Sequence, residues 1–113
     1  MNLTPDIVKA AYEFLTETPP FDKWNLPAAE DVKFVVTRSR ITCGSFSTST
    51  STIEISSSLH SHTYSLLETL AHELVHMHMR QTAMDRGVSD HGTAFRKLAE
   101  QVCKQHGFDP KSF

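Results

Sequence analysis

Apolar positions along this chain recur with two different periods, and the switches between them mark out the elements. Ile7, Ala10, Ala11, Phe14 and Leu15 repeat at helical spacing. They follow a start signal in which Thr4 caps, Pro5 takes the first helical position and Asp6 sits near the positive end of the dipole. Leu3 and Val8 are placed to staple that cap. Thr18-Pro19-Pro20 ends the helix. Residues 21–31, with Trp24 and Pro27, read as an irregular connector whose aromatic side chains cover the core.

The period then falls to two. Val32–Thr37 is apolar and β-branched, which predicts a strand. Arg38–Arg40 turns, and Ile41–Thr48 reads as a second strand with Ile41, Cys43 and Phe46 supplying apolar contacts. Gly44 marks a bulge or a close backbone approach. The hydroxyl-rich tract 47–52 makes a hairpin tip, and Thr52–Ser56 alternates cleanly as a third strand with Ile53 and Ile55 inward. Ser56-Ser57-Ser58-Leu59 leaves the sheet, and His60 and His62 follow in a loop, read as solvent-exposed despite their H-x-H spacing.

Helical spacing returns from about Thr63 to about Ala83. At ~100° per residue, Leu66, Leu67, Leu70, Ala71, Leu74, Val75 and Met77 fall in one half-circle, and Thr69, His72, Glu73 and His76 fall together on the other side. The helix is thus packed on one face and polar on the other. His78 lies about 160° from His76 around the axis, which places it on the packed side as a structural histidine. Asp85–Asp90 breaks the helix. A last one opens at His91-Gly92, with Ser89 or Asp90 as cap and Gly92 permitting a close backbone approach. Its core stripe is Phe95, Leu98, Ala99, Val102 and Cys103, with Gly107 as a left-handed stop before Pro110.

The polar face of the long helix carries the chemistry. His72-Glu73-Leu74-Val75-His76 reads H-E-x-x-H, for which chance gives roughly 0.03 matches in a chain of this composition. Two His one turn apart can grip one ion, and the intervening Glu is angled to hold a water beside it. A third imidazole would complete a site with an open position, the catalytic rather than the structural arrangement. His91 returns from the following helix and is well placed to supply it.

Composition narrows the classes. The 113 residues make one domain, 1–113, with 39 % hydrophobic and 21 % charged residues, ordinary for a globular protein. No apolar run is long enough to cross a membrane and no leader pattern opens the chain, which predicts a cytoplasmic location. Cys43 and Cys103 stand apart in no C-x-x-C pattern and read as reduced thiols. A net charge of −2, with only small basic groupings at Lys33, Arg38 and Arg40 and at Arg96, Lys97 and Lys104, speaks against strong intrinsic nucleic-acid binding.

H-E-x-x-H at 72–76 followed by His91-Gly92-x-x-Phe95 resembles the SprT-like zinc metallopeptidases, minimal gluzincin-type proteases that include DNA–protein-crosslink proteases. The match extends over the strand Ile53–Ser56, the lead-in Leu67–Leu70 and the ending Gly107–Pro110. The resemblance implies a small α+β, zincin-like domain. Its parts would be an N-terminal helix, a three-stranded, mainly antiparallel sheet, the central H-E-x-x-H helix and a C-terminal helix. It implies Zn²⁺ on His72, His76 and His91, Glu73 as general base, and polypeptide substrates, DNA-associated proteins among them. Longer members carry a C-terminal zinc ribbon, and no paired-Cys motif is present here. The substrate is expected to lie extended on the sheet edge at about Gly44–Ser49. Arg38, Arg40, Tyr64 and His106 are candidate oxyanion donors. The rival readings are a catalytically silent zinc-binding interaction module and an adaptor that kept the fold without the activity.

Overall fold

The computed structural model describes residues 2–58, 63–82 and 91–113, without the side chains of Thr63 and Tyr64. His60, His62, the break at 85–90 and the Ser89 or Asp90 cap therefore lie outside the described residues. The first helix, α1, spans Pro5–Thr16, and Thr4 caps it by accepting the Ile7 N–H at 3.2 Å. Its buried face is Val8, Tyr12 and Leu15, one step around from the expected stripe, and Phe14 is 54 % exposed. Tyr12 can be buried because its hydroxyl donates to the Pro27 carbonyl at 2.6 Å. Two short 3₁₀ turns at Phe21–Lys23 and Ala29–Asp31 occupy the connector, with Phe21 and Trp24 buried edge to face as core cover.

Three strands follow: β1 (Lys33–Thr37), β2 (Gly44–Ser47) and β3 (Thr52–Ser56). Their order is β1-β3-β2, with β1 parallel and β2 antiparallel to β3, so the sheet is mixed rather than mainly antiparallel. The physical reason is the segment 38–43, which crosses over the end of β3 instead of turning back beside β1. Serine groups from the end of β3 hold that crossing. Ser57 donates from its hydroxyl and its N–H to the Thr37 carbonyl at 3.0 and 2.8 Å, and the Ser58 hydroxyl donates to Arg38 at 3.1 Å. Ser56 donates to the carbonyls of Cys43 and Ser39. The crossing exposes Ile41 (94 %) and Cys43, so of the expected apolar contacts only Phe46 packs against the core. The second strand is correspondingly short.

The long helix α2 runs Thr63–Gln81 and the last, α3, runs Thr93–His106. Helix α2 packs against α1, α3, β2 and β3. Its buried residues Leu66, Leu70, Ala71, Leu74, Val75 and Met77 join Ile53, Ile55 and the α3 stripe in one core cluster. Gly107, at φ +78°, ends α3 and donates to the Cys103 carbonyl at 2.8 Å. Neither Cys43 nor Cys103 is in a disulfide, and among the described residues no helix is long and apolar enough to cross a membrane. Helix α3 starts two residues later than the sequence suggests, with Gly92 as N-cap and no side-chain cap bond. His91 therefore sits in the turn ahead of the helix. Gly92 itself has φ −77° and ψ −160°, extended backbone that any residue adopts.

A candidate metal centre on the long helix

Helical spacing fixes two members of the site. His72 and His76 stand one turn apart on the face of α2 away from the core, and the turn before α3 brings in His91. The three Nε2 atoms form a nearly equilateral triangle: 3.2 Å from His72 to His76, 3.2 Å from His72 to His91, and 3.1 Å from His76 to His91. Phe95 lies under all three rings, its centroid 4.8 to 4.9 Å from each. The core aromatic of α3 thus also packs against all three imidazoles.

Protons cannot satisfy this triangle. An imidazole Nε2 is either a donor or an acceptor, so among three in mutual contact at least one pair must be alike. The His72 Nδ1–H donates to the main-chain oxygen of Phe113 at 3.0 Å, which leaves its Nε2 with a lone pair only. A cation held by all three lone pairs removes the conflict. Tetrahedral coordination at 2.0–2.1 Å calls for nitrogens about 3.3 Å apart, and the observed separations of 3.1 to 3.2 Å fit it. These three are the one group of potential ligands that converge among the described residues. Among the described residues no fourth His, Cys, Asp or Glu joins the group, so an ion held there would keep a coordination position free of side chains.

Glu73 faces the same cleft. Strand β2 lies over α2 here, and Gly44 makes that possible: a Cβ on it would meet Thr69 Cγ2 at 3.0 Å and the Glu54 carbonyl at 3.1 Å. A recess lined by Gly44, Ser45, Phe46, Glu73, Arg80 and the three histidines runs between strand and helix. Glu73 is 7 % exposed, and burial pushes its pKa up to about 7 against the opposing pull of Arg80. Burial also holds His72 below the usual histidine range, partly offset by the Phe113 hydrogen bond. Glu73 thus changes charge near neutrality in a recess that it shares with the three histidines.

That shift has a consequence for the metal-free protein. Below about pH 4.5 Glu73 is protonated in both folded and unfolded chains and costs nothing. As pH rises towards 7 the unfolded chain releases the proton while the folded one retains it, so stability falls across that window. The full effect is about 3 kcal/mol. Glu73→Gln is expected to remove this slope. In urea melts of chelator-treated protein, the variant should gain about 3 kcal/mol on the parent between pH 4.5 and pH 8. Parallel pH profiles would contradict the assignment.

Other candidates resolve differently. His78 stacks on Trp24 at 4.4 Å and 16°, away from the histidine triangle, with a buried Nδ1 that has no hydrogen-bond partner among the described residues. It is the structural histidine the helical wheel predicts. Arg38, Arg40 and His106 line none of the recesses around the triangle, and His106 instead meets Thr18 Oγ1 at 3.0 Å and packs on Phe21 and Phe108. The side chain of Tyr64 lies outside the described residues. The cation in the cleft is Arg80, which the sequence reading passed over. Its signal was present: it stands four residues after His76 and seven after Glu73, on the same face. Its Nη1 donates to Thr48 Oγ1 at 3.3 Å across the cleft end. The Phe113 oxygen left no signal, because a main-chain atom far along the chain carries no residue signature.

The SprT-like family model matches residues 11–112 of the chain. Among curated proteins none matches it significantly.

Proposed function

Since the chain belongs to the SprT-like family, a family associated with metallopeptidase activity, we propose that it is a zinc-dependent endopeptidase acting on polypeptides. The observation that carries this reading is the triangle of Nε2 atoms, unsatisfiable by protons, with a buried carboxyl group in the same recess. His72, His76 and His91 would hold the ion. Zinc bound there supplies a Lewis acid that acidifies a water molecule and polarises a carbonyl.

The remaining work falls to the chain's own groups. A water's oxygen attacks the peptide carbonyl carbon, and the Glu73 carboxylate accepts the proton that water gives up. Glu73 then delivers that proton to the departing amine nitrogen as the C–N bond breaks. Strand β2 is at the sheet edge beside the recess, so an extended substrate can add to it through main-chain hydrogen bonds. Such pairing needs no particular side chains and suits a protein substrate. Beyond His72 and His91, a pocket of about 460 Å³ floored by Phe95, Ala99, Pro110 and Phe113 offers room for a substrate side chain. A closed structural zinc site would give a buried Glu73 no role.

Metal removal tests the reading. Protein purified without added metal is expected to carry close to one zinc per chain, to lose casein cleavage on chelation, and to regain it with one equivalent of zinc. Undiminished cleavage by metal-stripped protein would defeat the proposal.

A further inference from the structure

We propose that the C-terminal turn Asp109–Phe113 is the positioning device for His72, its main-chain oxygen at Phe113 holding the ring in the tautomer that leaves Nε2 to a metal. This rests on the metal-centre reading above and adds a part to it. This segment is tied down several times over. Gly107 turns the chain out of α3, and Phe108 is buried in the core cluster. The Asp109 carbonyl accepts from the N–H groups of Ser112 and Phe113, each at 3.1 Å, and its carboxylate accepts from the Lys111 N–H at 2.9 Å. Pro110 stiffens the turn between them. The Phe113 ring then stacks against Phe108 (5.9 Å, 20°) and Phe95 (6.3 Å, 29°).

The oxygen thus arrives from a fixed direction. A main-chain oxygen, carbonyl or ionised carboxylate, can only accept, so the 3.0 Å contact places the proton of His72 on Nδ1. With the proton on Nε2 instead, His72 would present N–H to the centre of the triangle and could not ligate there. Phe113 also stands between two recesses that meet at His72, so the turn forms part of the wall of the site. Partners of this kind orient the ligand ring and raise its basicity.

The direct test uses histidine-ring ¹H–¹⁵N correlation spectra of the full, metal-free chain at pH 8. His72 is expected in the Nδ1–H form, and a His72 in the Nε2–H form would overturn the proposal whatever any variant does. Deleting Ser112 and Phe113 should let His72 populate both tautomers and weaken zinc binding about 10- to 100-fold in competition with a chelating indicator. Phe113→Ala, which keeps the main-chain oxygen, should retain the Nδ1–H form. A folded deletion variant with zinc affinity equal to that of the full chain would also overturn it. If the full chain binds no zinc, the metal reading fails, and the metal-free spectrum still decides the role of the turn.

Discussion

Glu73→Gln is expected to leave zinc content unchanged and to lower casein cleavage by at least 10²-fold, the lower bound for loss of a positioned general base. The two halves of that outcome come from different atoms. The nitrogens that would hold zinc belong to His72, His76 and His91, whose rings all pack against Phe95, and the substitution touches none of these groups. Gln is close to Glu in volume and fits the space under β2. It cannot accept the proton of an attacking water. A drop in zinc content together with activity would mean that Glu73 shapes the site instead of acting in it. Full activity with bound zinc would remove it from the mechanism. Metal content and rate must therefore be measured on the same preparation.

How much of this was written in the sequence depends on the range of the interaction. Helical spacing put His72, Glu73 and His76 on one face of α2 and His78 on the other, since 3.6-residue periodicity is a local property. Thr4, Gly107 and the inward alternation of Ile53 and Ile55 are likewise local, and all three stand where the pattern puts them. Strand order was not legible. Alternation tells which face of a strand is buried and is silent about its neighbours, so it carries no sign of the crossing of 38–43 over β3 or of the exposure of Ile41. The buried face of α1 is not legible because Tyr12 counts as polar until Pro27 is there to accept its hydroxyl. Gly44 was legible as a close approach, but not what it approaches: Thr69 on the helix that bears the site. The same division runs through the site itself. The convergence of His72, His76 and His91 is legible in the sequence, and the Phe113 oxygen that accepts from His72 is not.

His91→Ala and His78→Ala should separate metal binding from folding in opposite directions. His91 is exposed, precedes α3 and contributes its Nε2 to the triangle. Apparent zinc affinities of about 10–16 kcal/mol for four-ligand sites put each ligand near 3 kcal/mol, so losing one should weaken zinc binding by about 10²-fold or more. The metal-free fold should be nearly untouched, within about 0.5 kcal/mol, as for other exposed positions. For His78 the expectation is reversed. Its ring lies flat on Trp24, and removing that contact should destabilise the metal-free protein by about 1 kcal/mol while zinc affinity stays within a few-fold. Zinc titrations and metal-free urea melts on both variants give four numbers, and the crossed pattern is the signature of a site built from one face of α2. If both variants lost zinc equally, position on the helix would not govern ligation. If His91→Ala bound zinc like the parent, the triangle would not be a metal centre, and the catalytic role of Glu73 would go with it.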